Sequence, residues 1–220
     1  MRSTGAVAVF GGTFNPIHHG HLRSALELLE SLPLKELRFL PSRQPPHRDA
    51  PEVSAEHRAA MVELAIAGEP RFVCDRRELT RDGPSYTYDT LLSLRKELGP
   101  RQSLCLVLGC DAALGLPSWH RWEELLSLAH MVVMARPGWA IPPAGAFTTW
   151  LNTHIEPGIS LTERPCGSIF LRDLRPLDIS ATELRGLLQS RKSPRYLMPA
   201  EALDYAIEHE LYTVADVTSQ

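Results

Sequence analysis

The chain has 220 residues, 44% of them hydrophobic, and a formal net charge of −3 at pH 7. That length suits one α/β domain with a full core, and the slightly acidic balance argues against nucleic acid, whose binders are usually basic. No apolar run approaches a membrane span and no basic-then-apolar leader opens the chain, so a cytoplasmic protein without membrane contact is expected.

Apolar strand-like runs at 6–10, 36–40, 71–74, 103–108, 131–135 and 168–171 alternate with helical patterns at 18–32, 54–67, 88–98 and 122–128. Two further helices, 181–188 and 200–210, close the pattern. Short strands separated by helices predict a doubly wound, Rossmann-like parallel sheet, and consecutive rather than alternating apolar residues predict strands covered on both faces. One domain over 1–220 is expected, its C-terminal helical portion at about 180–212, with the Pro/Gly-rich stretch 137–143 as an internal loop. The four cysteines, Cys74, Cys105, Cys110 and Cys166, form no C-x-x-C pair and read as buried free thiols.

Residues 9–21 are the most informative. The first strand runs into Gly11-Gly12-Thr13, read as a glycine turn, and then into a helix start. Backbone N–H groups converge in such a turn, and the helix dipole adds to its pull on phosphate. His18 and His21 would share one face of the first helical turn, and Gly20 between them would leave that face open to a bulky ligand. Singly each is more often a turn or capping residue; clustered, they read as a triphosphate site. Zinc held by His18, His19, His21 and His47 is a poorer reading, because no carboxylate or cysteine completes a ligand set.

Further candidates follow other strands. His47 and Arg48 sit in the proline-stiffened 41–48 segment, either as solvated charges or as phosphate contacts. At Gly83–Thr90 a helix opens, with Ser85 or Thr87 read as its capping oxygen. Gly109 would let backbone approach a ligand, and Asp111 could accept from ribose hydroxyls. Trp119 and Trp122, three apart, would share a helical face, one packing inward and the other meeting ligand; spacing alone does not say which. Arg136 ends the fifth strand, as an ion-pair partner or a phosphate contact. Ser180 is a natural N-cap, while Ser180, Thr182 and Arg185 together suit a β/γ-phosphate pair.

These residues carry a resemblance. His18-His19-Gly20-His21 matches the HxGH motif of the nucleotidyltransferase superfamily, Gly11–Pro16 matches the loop before it, and Ile179–Arg185 resembles its second motif, usually Ile-Ser-Ser-Thr-x-x-Arg. Ala181 departs from that pattern, and Arg48 stands where the family usually has Lys. From Phe10 to about Tyr212 the set is similar to the bacterial nicotinate mononucleotide adenylyltransferases. The resemblance implies ATP and nicotinate mononucleotide as substrates, with Mg²⁺ carried on ATP rather than in a protein metal site. It implies His18, His21 and Arg185 as catalytic groups. ATP would meet these three and Gly11, Gly12, Thr13, His47, Arg48, Gly109, Asp111, Ser180 and Thr182. The mononucleotide would meet Phe14, Asn15, Tyr86, Thr87, Trp119 (stacked on the pyridine) and Arg136, leaving Trp122 in the core.

A phosphate dianion needs no general base to attack, and the motifs offer donors and cations rather than an activated nucleophile, so direct in-line attack without a covalent intermediate is expected. Rival readings are a superfamily member using nicotinamide mononucleotide or another phosphorylated acceptor, and a non-catalytic nucleotide sensor. A homo-oligomer is compatible with the sequence, which does not fix the assembly state.

Overall fold

In the structure, a computed structural model, residues 5–44, 51–81, 83–135, 145–155 and 160–213 are described. Six strands, β1 (Ala6–Gly12), β2 (Leu34–Pro41), β3 (Phe72–Cys74), β4 (Leu104–Gly109), β5 (His130–Ala135) and β6 (Ile169–Asp173), form one parallel sheet in the order β3-β2-β1-β4-β5-β6. The predicted doubly wound architecture and each predicted strand are present. The helices are α1 (His19–Ser31), α2 (Ala55–Ile66), α3 (Thr87–Leu98), α4 (Cys110–Leu114), α5 (Leu125–Leu128), α6 (Ala146–His154), α7 (Ala181–Gln189) and α8 (Ala200–Glu208).

Consecutive apolar residues serve two cores. Ala6, Ala8 and Phe10 of β1 join Leu37 and Phe39 of β2 on one face, beneath Leu28 of α1, Met61 of α2, Leu184 of α7 and Leu203 of α8. Val7 and Val9 join Leu104, Leu106 and Leu108 of β4 on the other, beneath Leu91 of α3, Leu125 of α5 and Leu151 of α6. The chain changes face between β3 and β4, so β1 and β4 lie side by side although their helices go opposite ways. In doubly wound sheets such a switch point is where the ligand crevice lies, outside the C-terminal ends of the two strands.

Several local expectations are corrected. β1 continues through Gly11 and Gly12, which pair with Leu40 and Pro41, so the glycines end a strand and the turn begins only at Thr13. The predicted 122–128 helix opens as a 3₁₀ turn, Trp122–Glu124, before α5. Two helices went unread: α4 follows β4 with no polar break, and α6 has only Gly145 as N-cap, with no capping side chain to announce it. Cys105 and Cys110 are buried, but Cys74 and Cys166 are only half-buried; all four thiols are free. Among the described residues no helix is long and apolar enough to cross a membrane.

Candidate active site

The first site element is built where β1 hands over to α1. His18 is the N-cap of α1 and is 6% exposed; its ring stacks on that of His21, with centroids 3.7 Å apart and planes at 28°. The shared face read from the spacing is therefore present. The His18 amide donates to His21 Nδ1 at 3.3 Å. Because that nitrogen accepts, a neutral His21 carries its proton on Nε2. His18 Nδ1 is buried and has no hydrogen-bond partner among the described residues, an orphan of the kind that marks a missing ligand. Burial, reinforced by neighbouring His19, lowers the His18 pKa to about 4, and burial with neighbouring His18 lowers that of His21 to about 3. Both rings are neutral at pH 7 in the empty protein.

The glycines play other parts than expected. A Cβ on Gly20 would lie 2.9 Å from His18 Nδ1 and 3.4 Å from the Leu177 carbonyl oxygen, so Gly20 makes room for the histidine itself rather than for a ligand. A Cβ on Gly12 would meet the Phe14 ring at 2.8 Å, whereas Gly11 and Gly109 face open space where backbone can be approached. The Phe14 side chain is 2% exposed and packs edge-on against His21, Phe10 and Phe39. Expected against the mononucleotide, that ring instead buttresses His21 from the core.

The second motif reaches the first. Ser180 caps α7 by accepting from the Glu183 amide at 3.1 Å, which is the plain capping role. Arg185, one turn further on, donates to the Asn15 carbonyl at 2.8 Å and to Thr182 Oγ1 at 3.3 Å. The guanidinium thus stands beside the His18 loop, with part of its donor set already engaged. Asn15 is held twice, because Tyr212 donates its hydroxyl to Asn15 Oδ1 at 2.8 Å. Tyr212 was not singled out from the sequence; an aromatic residue in a C-terminal segment gives no signal of a partner 197 residues away.

Behind the glycines sits Arg58 of α2, 1% exposed, also missed. It donates to the carbonyls of Thr13, Ser42, Arg43 and Val53. A signal was available: residues 55, 58, 59, 62 and 66 make the buried stripe of α2, and a charge in such a stripe needs an explanation. His47, Arg48 and Arg136 lie outside the described residues.

On the far side of the crevice, Gly109 is the N-cap of α4 and Asp111 is an exposed residue of its first turn. The N-cap of α3 is Tyr86, which makes no side-chain cap, so neither Ser85 nor Thr87 has the capping role expected of it. Ser85 Oγ accepts instead from the Arg43 amide at 3.3 Å, tying this segment to the loop after β2. The first-turn N–H groups beside Thr87 are consequently left without a capping side chain. Tyr86 lies against His120, ring centroids 4.6 Å apart, which brings the start of α3 to the segment carrying Trp119. His120 was not assigned from the sequence.

The two tryptophans do not share a helical face. Trp119 is extended after one 3₁₀ turn, Arg121 is left-handed at φ 54°, and Trp122 begins the next turn. Trp122 sets its ring against Trp150, centroids 5.0 Å apart, while Trp119 is half-buried and makes no ring contact among the described residues. Tertiary structure thus separates two residues that spacing could not.

Residues 9–187 match the model of the family described as cytidylyltransferase-like. A relative from Pseudomonas putida (strain W619), called a probable nicotinate-nucleotide adenylyltransferase, is 50% identical over 206 residues, covering 94% of each chain. One of the same name from Aeromonas salmonicida (strain A449) is 48% identical over 207 residues, covering 94% of this chain and 96% of its own. The chain belongs to the nicotinate-nucleotide adenylyltransferases, within the cytidylyltransferase-like family. It is a nucleotidyltransferase. Among solved structures, Plasmodium falciparum nicotinic acid mononucleotide adenylyltransferase complexed with NaAD shares the fold at TM-score 0.72 and 20% identity, with 94% of this chain and 97% of that one covered. A structure from Vibrio parahaemolyticus, called a putative nicotinate-nucleotide adenylyltransferase, gives 0.65 and 15%, covering 94% and 95%.

Proposed function

We infer that this enzyme transfers the adenylyl group of ATP to nicotinate mononucleotide, giving nicotinate adenine dinucleotide and pyrophosphate in NAD synthesis. Beyond family membership, the observation that carries this reading is the stacked, desolvated His18–His21 pair, with an orphan ring nitrogen, at the mouth of the β1/β4 crevice.

An oxygen of the mononucleotide phosphate attacks the α-phosphorus of ATP. A new P–O bond forms as the α–β bridge breaks, and pyrophosphate departs with the bonding pair. No proton needs to be removed, since a phosphate monoester is largely dianionic at neutral pH. The chain's task is to align the reactants and to meet the charge that grows on the α-phosphate and on the leaving group. His21 offers Nε2–H, His18 has an unsatisfied ring nitrogen, and Arg185 brings a guanidinium to the same loop. An arriving polyanion favours the protonated form of both rings, and an imidazolium donates from both of its nitrogens. Gly11, Gly12 and Thr13 present backbone to the phosphates; Gly109 and Asp111 face the ribose; Ser180 and Thr182 border the β/γ end; His47 and Arg48 are further ATP-phosphate contacts of this proposal.

Mg²⁺ enters with ATP and neutralises part of its phosphate charge. Among the described residues no group of three or more His, Cys, Asp or Glu could hold a metal ion, and the donor set of N–H groups, imidazoles and guanidinium suits an anion whose metal is already bound by phosphate and water. For the mononucleotide, Trp119 offers its ring for stacking on the pyridine, the N–H groups at the start of α3 meet the nicotinate carboxylate beside Tyr86 and Thr87, Asn15 borders the reacting phosphate, and Arg136 is the further phosphate contact of this proposal.

The test is pyrophosphate release from ATP with a panel of acceptors: nicotinate mononucleotide, nicotinamide mononucleotide and pantetheine phosphate. Nicotinate mononucleotide should be used with the highest kcat/KM; a higher value for another acceptor would reassign the substrate, and no release with any would indicate a nucleotide sensor.

A further inference from the structure

A charged side chain buried in a core normally has an opposite charge beside it, because desolvating an unpaired ion costs several kcal/mol. Arg58 breaks that pattern. Its side chain is fully enclosed, yet among the described residues no carboxylate lies within ion-pair distance of it. Its partners are backbone carbonyls from three separate segments. Nε donates to Val53 at 3.2 Å, Nη2 to Ser42 at 2.7 Å and Arg43 at 3.3 Å, and Nη1 to Thr13.

Those carbonyls are not spread at random. Thr13 opens the turn after β1, and Ser42 and Arg43 open the segment after β2. The two segments are also joined by the Ser42 amide, which donates to the Gly12 carbonyl at 3.0 Å. The same β2 segment continues to the approach of α3, through the Arg43 amide to Ser85 Oγ and the Ser85 amide to the Gln44 carbonyl at 3.2 Å. We propose that Arg58 is a positioning residue: its fork clamps the loops after β1 and β2 at a fixed separation and so sets the geometry of the phosphate cradle. Only a planar guanidinium reaches several carbonyls in divergent directions at once; a lysine ammonium at the same place is a single point. This role rests on the adenylyl-transfer reading of the site.

The experiment compares full-length wild-type protein with Arg58→Lys and Arg58→Met, measuring melting temperature, kcat and KM for each substrate, and calorimetric affinity for a non-hydrolysable ATP analogue. For Arg58→Lys the kcat should fall by about 10²-fold, the scale of an ångström-sized misplacement, and the analogue should bind more weakly, in protein still folded at the assay temperature. Wild-type kcat and analogue affinity in a folded but less stable variant would overturn the proposal, since mere core packing predicts that pattern. If neither variant folds, hydrogen exchange on wild-type protein decides. Adding the analogue should protect peptides containing Ser42–Gln44 together with those containing Gly11–Thr13; protection of the latter alone would refute the clamp. Wild-type protein that binds the analogue but does not turn over nicotinate mononucleotide would remove the acceptor assignment and leave the Arg58 comparison intact.

Discussion

The two sides of the crevice are finished to different degrees. On the β1–α1 side every group is held: His18 and His21 stack on each other, Phe14 supports them, Gly20 clears space for His18, and Arg58, Arg185 and Tyr212 fasten the loop from three directions. On the α3 side fewer contacts fix the elements. Tyr86 touches His120, Trp119 is half-buried with no ring partner among the described residues, and the first turn of α3 has no side-chain cap. Phosphate chemistry demands fixed donors, because stabilising a transition state relies on dipoles already in place. Base recognition needs chiefly a flat surface and a few donors, so it tolerates assembly on binding.

The largest effect belongs to the looser side. If uncapped N–H groups at the start of α3 receive the ring substituent, the pocket offers donors only, and a carboxamide must turn its NH₂ toward one of them. Replacing nicotinate mononucleotide by nicotinamide mononucleotide should lower kcat/KM by about 10⁴-fold at matched ATP. Equal use of both would show that this side is not yet a defined pocket.

Next come the histidines. Replacing His18 or His21 by Ala should reduce kcat by about 10²-fold or more, with much smaller changes in KM, because the contacts strengthen as charge develops on phosphorus. A double variant turning over near the wild-type rate would make the stacked pair a packing feature.

Trp119→Ala should weaken mononucleotide binding by about 1–3 kcal/mol, with ATP binding nearly unchanged, on the scale of base–aromatic stacking. Trp122→Ala, which loses its contact with Trp150, should instead lower the melting temperature and leave the ratio of the two substrate affinities alone. Calorimetry and thermal melts on both variants separate them, and the reverse pattern would exchange their roles.

A separate test reads stability against pH rather than activity. Burial holds His18 at a pKa of about 4 and His21 at about 3, below the ordinary 6.5. From pH 6.5 down toward 3 the unfolded chain therefore binds more protons than the folded one, and stability should fall on acidification through that window. The slope from this pair is at most about 1.4 kcal/mol per pH unit for each histidine. Urea midpoints between pH 4 and 7 should show a shallower acid loss when both are replaced by Gln; parallel curves would mean that the rings are not desolvated in the empty protein.

Much of this was legible in the sequence, for a reason that can be named. Strands covered on both faces must be apolar at successive positions, so 6–10 and 103–108 announced themselves, and their alternation with helices fixed a doubly wound sheet. His18 and His21 were readable because a helix start brings residues three apart onto one face by local geometry. What failed was whatever local spacing misrepresents. Trp119 and Trp122 looked like one helical face until a left-handed Arg121 parted them, and Ser85 looked like a cap until it bonded Arg43 instead.

The sequence by itself determined the sheet, the place on it of the loop after β1 and the shared face of the two histidines, because these follow from periodicity within a few residues. Only the tertiary structure decided that Gly20 serves His18, that Phe14 is a buttress, that Tyr212 and Arg185 both hold Asn15, and that Arg58 spans two loops. Each of those depends on partners brought close by packing of distant segments, and no pattern along a single stretch of chain encodes which backbone carbonyl a buried guanidinium will meet.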